Sequence, residues 1–302
     1  MLLVTGSSGP SANYFFKCLS LEGYKGKIRC IIRDTSHVDH LKVHNLNLEF
    51  VYGSMENDEF LKKSFIGIKT ILHIANIKFS KKIVSIGSKL GVEWFICVHT
   101  ASIYSKFEKL NHVYKNIENE LIRSYPNLTI LRPSIIYGTG EDIYTGGDKK
   151  RDRKIWKLIS FIQKYNYFFI FGRGKSLMQP VHCKDLGEAY YSVLKNKENT
   201  YGKQYNLPGQ TPISYIDIIK LISKNIKKNP LLIYLPIWLA IAFAYLFSKI
   251  PFLSNIIQVE QILRMTEDRV FSWSDANNDF GYSPLSFEKG IKIEIDEFFN
   301  KT

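Results

Sequence analysis

The sequence predicts an α/β fold, a doubly wound parallel sheet completed by a smaller C-terminal lobe. Apolar, β-branched runs recur at 2–5, 27–32, 70–74, 94–99 and 129–132. They are apolar throughout rather than alternating, which is the pattern of strands buried on both faces. Stretches with helical spacing of apolar residues separate them, the rhythm of strand–helix–strand units. A glycine-rich turn joins the first run directly to the first helical stretch.

The first run ends at Gly6, and a helix is expected over 10–21, where Tyr14, Phe15, Cys18 and Leu19 have helical spacing and Gly23 supplies a stop. The same reading places helices at 59–65, 83–90, 111–124 and 153–165 between and after the remaining strands. Beyond Tyr137 the rhythm weakens, and a stretch rich in Gly, Asp and Lys reads as a loop leading to the helix around Trp156. Residues 1–138 are therefore expected to form the sheet domain and 139–302 a mixed lobe, with part of the core sheet contributed from 166–210. No internal repeat is visible.

The chain has 302 residues, 45% of them hydrophobic, enough for a large core and too apolar for disorder. Its four cysteines, Cys18, Cys30, Cys97 and Cys183, are far apart, so neither a zinc spacing nor a redox pair is available. No metal is expected. The start MLLVTGSSG lacks a basic leader, so no signal peptide is expected and a reducing cytoplasm is the default. A formal charge of +13 favours anionic partners: nucleotides, sugar phosphates, nucleic acid or an anionic membrane surface. Nucleic acid drops out, because the aromatics lie in apolar strands instead of alternating with the basic runs.

One segment departs from a plain soluble pattern. Residues 231–248 carry no charge, at the lower edge of the roughly 17 to 25 residues of a membrane span. Pro236 divides the run, and the helix that can follow it is about 18 Å long, too short for a core of roughly 30 Å. Three readings stand. The apolar helical segment, taken as 231–253, is a buried helix of the small lobe, or it lies in the plane of a membrane interface, or, against its length, it spans the membrane. Lys224, Lys227, Lys228 and Lys249 flank it, Trp238 and Tyr245 suit an interface, and the basic run 149–157 adds attraction to an anionic surface. The second reading places the chain peripherally on the inner face of a membrane.

The turn Thr5-Gly6-Ser7-Ser8-Gly9-Pro10-Ser11-Ala12 has the chemistry of a pyrophosphate site. Gly6 makes the turn, Gly9 permits close approach of a phosphate to the backbone, and Ala12 stands where a small residue packs helix on strand. Together with HIAN at 73–76, LRPSIIYG at 131–138, QPVHCKDLGEA at 179–189 and YNLPG at 205–209, this turn resembles the extended or atypical short-chain dehydrogenase/reductases, the NAD-dependent epimerase/dehydratase group. The resemblance covers about the first 210 residues. It implies a Rossmann sheet with a C-terminal substrate lobe, and a nucleotide-activated or lipid-linked sugar as substrate. It also implies that Gly6, Ser8, Gly9, Pro10 and Ser11 hold the pyrophosphate, Ala75 and Asn76 line the adenosine, and Pro133 and Ser134 bracket the nicotinamide. A homo-oligomer is compatible with it.

The end of the second strand selects the cofactor, since an acid there holds a ribose 2′-hydroxyl and a cation a 2′-phosphate. Arg33 favours NADP, while Asp34 beside it leaves NAD open. Gly53-Ser54 replaces the family's usual Gly-Asp near the adenine.

The family's catalytic group is a Ser or Thr, a Tyr and a Lys four residues later. Thr100 fills the hydroxyl position. Counting back four and eight residues from Glu118, which is the family's anchor fourteen residues before Arg132, lands on Tyr114 where Lys is usual and Leu110 where Tyr is usual. The dyad is absent. Either Tyr114, with Lys115 or Lys106 as its cation, or Tyr104 supplies a rearranged acid/base group, or the chain binds a dinucleotide without reacting it, as the accessory subunit of respiratory complex I of the same atypical group does. Arg173 and Gln179 are candidate contacts for a substrate phosphate or sugar. His40 and His44, four apart, read as solvated helix residues, and Asp185 as the cap of a helix over 186–194.

Overall fold

The strand order follows from which runs can be buried twice. In a computed structural model, which describes residues 1–33, 38–107, 110–138, 154–248, 263 and 266–300, the strands are β1 (Leu2–Thr5), β2 (Ile28–Ile32), β3 (Leu48–Tyr52), β4 (Thr70–His73), β5 (Trp94–Val98), β6 (Leu128–Pro133), β7 (Ile136–Tyr137), β8 (Tyr167–Phe171), β9 (Leu177–Met178), β10 (Val181–His182), β11 (Gln204–Leu207), β12 (Ile213–Ser214) and β13 (Leu231–Leu235). The helices are α1 (Pro10–Leu21), α2 (Asp39–Lys42), α3 (Asp58–Ser64), α4 (Ser80–Lys89), α5 (Leu110–Ser124), α6 (Lys154–Lys164), α7 (Cys183–Lys195), α8 (Lys197–Thr200), α9 (Tyr215–Asn225), α10 (Ile237–Ser248), α11 (Ser274–Phe280) and α12 (Phe287–Asn300).

Seven parallel strands form the central sheet in the order β11-β6-β5-β4-β1-β2-β3. Side chains of β1 alternate between its faces, with Leu2 and Val4 entering one core and Leu3 the other. One core holds α1 and α7 against the sheet through Phe15, Phe16, Leu186 and Tyr190. The opposite one holds α3, α4 and α5 through Leu61, Ile83, Ile117 and Leu121. The order reverses between β1 and β4, which makes the carboxyl ends of these strands the crevice where open α/β sheets bind ligands.

The C-terminal half returns to the sheet before building its own lobe. β11 pairs with β6. The lobe has a separate core of Ile159, Ile170, Ile219 and Ile291 from α6, β8, α9 and α12.

The structure corrects three expectations. Strand β3 was not among the apolar runs, because this edge strand is only half-buried and Glu49 interrupts it to pair with Arg29 (Nε–Oε2 3.0 Å) and Lys27. Residues 231–235 of the apolar segment are not helical. They form β13 in parallel register with β8, and the helix begins after Pro236. His40 and His44 are buried rather than solvated, with His44 Nε2 2.7 Å from Asn13 Oδ1 of α1. Residues 249–253 of the segment, and the loop 139–153, lie outside the described residues. Among the described residues no cluster of metal-binding side chains occurs and no helix is long and apolar enough to cross a membrane.

Candidate functional site

The turn after β1 is shaped by contact. Gly6 has φ +69°, and a Cβ on it would stand 2.9 Å from the Ala75 amide nitrogen, so a side chain is excluded twice. Gly9 closes the turn by donating its N–H to Gly6 O at 3.0 Å, and a Cβ on Gly9 would lie 3.2 Å from that same oxygen. The turn is held from beneath by Thr5 Oγ1, 2.6 Å from His73 Nδ1. Burial strips the His73 imidazole of its charge and pushes its pKa down to about 3, so this support is neutral at ordinary pH.

Helix α1 starts with Gly9 as an N-cap that has no side-chain cap and no acidic residue in the first turn. Its amides face the crevice end of the sheet with their partial positive charge uncompensated by side chains. Pro10 has no N–H and contributes only its preset backbone angle. The first-turn donors are therefore those of Ser11 and Ala12. Ser8 is half-buried and Ser11 buried at this turn. Ala75 follows β4 across from Gly6, and Asn76 caps the next turn by accepting from the Lys78 amide at 3.0 Å. Arg33 is exposed directly after β2, at the same end of the sheet, while Asp34 lies outside the described residues.

Farther along the crevice, Pro133 ends β6 opposite Leu207, and Ser134 donates its hydroxyl to the Gln179 carbonyl. Thr100 follows β5, and its Oγ1 accepts from the Ser102 amide at 3.1 Å, capping the short turn Ala101–Tyr104. Its own hydroxyl proton is a separate donor. Tyr104 hydrogen-bonds Asn206 Oδ1 at 3.3 Å, and the Arg132 guanidinium lies 5.7 Å from its ring.

Helix α5 is locked by a buried ion cluster. Arg132 Nε donates to Glu118 Oε1 at 2.7 Å, and His99 Nδ1 lies 2.8 Å from Glu118 Oε2. Burial alone would raise the Glu118 pKa, but the hydrogen bonds from His99 and Arg132 outweigh it and hold the carboxyl below its usual range. The Glu118–Arg132 spacing read from sequence is thus a contact, and it fixes the register of α5. In that register Tyr114 is half-buried and packs against the core that contains Ile77 and Ile117, while Lys115 is exposed. His99 carried no sequence signal of its own. Its role depends on β5 and α5 meeting in space.

Two lobe residues, Gln179 and Asp185, take other places than their motifs suggest, while Arg173 stands open to solvent. Gln179 is 2% exposed, donates to Gly209 O at 2.8 Å and accepts from the Phe271 amide at 2.9 Å, so its side chain staples three segments together and is occupied within the protein. Arg173 is exposed after β8. Asp185 does not cap α7: His182 does, accepting from the Lys184 amide at 3.2 Å, and Asp185 sits buried in the first turn, with one carboxylate oxygen lacking a hydrogen-bond partner among the described residues.

No protein-family model matches the chain. Its curated relatives include NADH dehydrogenase (ubiquinone) 1 alpha subcomplex subunit 9 of Arabidopsis thaliana mitochondria, 26% identical over 162 residues, which are 51% of this chain and 38% of that protein. Short-chain dehydrogenase/reductase family 42E member 1 of Homo sapiens is 24% identical over 54% of this chain and 42% of its own. Each match thus spans less than half of the relative's length. Solved structures agree over the whole chain. UDP-glucuronic acid 4-epimerase from Bacillus cereus, in complex with UDP-glucuronic acid and NAD, has a TM-score of 0.74 at 18% identity, covering 100% of this chain and 99% of its own. UDP-glucose 4-epimerase from Thermotoga maritima has a TM-score of 0.70 at 18% identity, covering 99% of each chain.

Proposed function

On the premise that this chain is similar in sequence and fold to the extended short-chain dehydrogenase/reductases, we propose that it binds a nicotinamide dinucleotide at the β1–α1 turn and is an NAD(P)-dependent epimerase, reductase or dehydratase of a nucleotide-activated or lipid-linked sugar. One observation carries the reading. The uncapped N-terminus of α1 stands behind a turn in which Gly6 has no room for a side chain and Gly9 little, at the point where the strand order reverses. A pyrophosphate there would complete the first turn of the helix through the Ser11 and Ala12 amides, one donor fewer than usual because Pro10 has none.

In this reading Gly6, Ser8, Gly9 and Ser11 surround the pyrophosphate, Ala75 and Asn76 the adenosine, and Pro133 and Ser134 the nicotinamide. Arg33 reaches a ribose 2′-phosphate, which favours NADP over NAD. When bound, the nicotinamide supplies hydride exchange with a sugar carbon. The Thr100 hydroxyl would orient the sugar hydroxyl, and the Tyr114 phenol would take or return its proton, with Lys115, the next residue of α5, as the candidate cation. Arg173 would meet a substrate phosphate.

The second reading is a dinucleotide-binding accessory protein. It is favoured by the Glu118–Arg132 contact, which fixes the register that leaves Leu110 and Tyr114 at the places of the family's Tyr and Lys. The test of binding is the mass of any nucleotide that co-purifies, with titration of NADPH and NADH into wild type and Gly9→Val. Val at position 9 adds a branched side chain where Cβ alone is already 3.2 Å from Gly6 O, and retention of nucleotide should vanish while the melting curve persists. A variant that binds as wild type does would overturn the site. Turnover of a sugar panel by the wild type separates enzyme from accessory protein.

A further inference from the structure

We propose that the outer face of the β8/β13 pair, together with α10, is a docking surface for an anionic lipid bilayer, with α10 lying in the plane of the interface. The surface is separate from the β1–α1 turn and does not depend on dinucleotide binding.

The β8/β13 pair is apolar on both faces. Phe168 and Ile170 point into the lobe core, at 6% and 0% exposure. The residues between them should be polar if that face met only water. Instead Tyr167 and Phe169 are exposed, and their register partners are Leu231, 67% exposed, and Ile233. Their rings form a continuous row, Tyr165 to Tyr167 at 5.6 Å between centroids and Tyr167 to Phe169 at 5.4 Å.

Helix α10 extends this face. It is IWLAIAFAYLFS, twelve residues without a charge. Ala240 is its one buried residue among the described side chains, and it packs with Phe171, Ile237 and Ile241. Phe171 belongs to β8, so helix and strand pair share one apolar layer. Trp238 is 65% exposed and Tyr245 58%. A helix of wholly apolar sequence that exposes Trp238, Ala242 and Tyr245 is unfavourable in water and stable in an acyl boundary. At about 18 Å it is too short to span the core, so lying in the plane is the geometry left to it.

Charge selects the occupant. Lys164, Lys224, Lys227 and Lys228 are exposed at the end of the pair where β8 and β13 begin, and Arg173 and Lys175 are exposed just past the end of β8. With a formal charge of +13 on the whole chain, these cations favour an anionic headgroup layer. A second copy would bring the same lysines face to face, which opposes a symmetric dimer through this surface. Trp and Tyr at the margin of an apolar patch also match the headgroup boundary.

The test is flotation of the full chain with vesicles of phosphatidylcholine, alone or mixed with phosphatidylglycerol. Wild type should float with the anionic vesicles, less so at high salt, and stay behind with the neutral ones. Trp238→Ser/Tyr245→Ser should lower partitioning by about tenfold or more. Lys224→Ala/Lys228→Ala, at exposed positions with ordinary backbone angles, should lower it by about fivefold for each lysine removed. Failure of wild type to float with anionic vesicles, or unchanged partitioning of the lysine variant, would overturn the proposal. So would concentration-dependent self-association that the aromatic variant abolishes without any vesicle binding, since the face would then serve a second copy.

Discussion

Replacing Asp185 by Asn should change stability by an amount that depends on pH in a defined direction. Asp185 lies in the first turn of α7 at 3% exposure, and one carboxylate oxygen has no partner among the described residues. Burial is the main cause that raises its pKa from 3.8 to about 6, with Glu188 adding to it, while backbone hydrogen bonds from Leu285 and His182 and the Lys184 charge act the other way. The folded state therefore holds a proton that the unfolded chain gives up. The stabilisation is complete below the unfolded value of 3.8 and is lost as pH rises through about 6. A difference of about two units corresponds to about 3 kcal/mol. Asn has the same shape and never ionises, so any constant cost of its amide is the same at every pH. Urea unfolding of both proteins across this range should show the variant gaining about 3 kcal/mol relative to wild type between the acid and neutral ends. A difference that stays flat across the range would refute the buried, proton-holding carboxyl.

The remaining predictions concern the crevice and α5. Arg33→Ala should weaken NADPH by about 1.5 to 3 kcal/mol and leave NADH nearly unchanged in direct titrations, and equal losses would remove the 2′-phosphate contact. Glu118→Gln leaves the buried Arg132 without a charged partner and should cost about 3 to 5 kcal/mol in urea unfolding at neutral pH. Because the Glu118 pKa is depressed in the fold, that gap should narrow as acid protonates the wild-type carboxyl, and a gap that widens in acid would contradict the assignment. Tyr114→Phe should lower sugar turnover by about 10² or more with dinucleotide affinity unchanged. If both Tyr114→Phe and Thr100→Val keep full turnover, the acid/base assignment fails.

The strand–turn–helix at the start of the chain was legible because everything that makes it is local. Gly6 needs a positive φ, Pro10 is preset for a first helical turn, and the apolar spacing of Tyr14, Phe15, Cys18 and Leu19 needs no distant partner to be read. The parallel sheet was legible for a related reason, since strands covered on both faces are mostly apolar, and the few polar residues they carry, such as Thr5 and His73, find partners inside. Strand β3 escaped because an edge strand is covered on fewer sides, and its Glu49 could be placed only once β2 brought Arg29 beside it. The Glu118–Arg132 spacing could be read as a number, but that His99 closes the same cluster required β5 and α5 to meet.

Composition determined that 231–248 is uncharged and that its neighbours are basic. Whether it became helix or strand was a tertiary decision, because Leu231 to Leu235 gain their hydrogen bonds from β8, more than sixty residues earlier in the chain. Burial was decided there too. Gln179 is polar and sits in a motif-bearing stretch, yet Gly209 and Phe271, distant in sequence, take both ends of its amide. Asp185 looks like a helix cap by residue type, and only the packing of α7 put His182 at the cap and the carboxylate inside. Local rules fix what a residue can bond. Which bonds remain open to a ligand depends on what the rest of the chain has already brought to it.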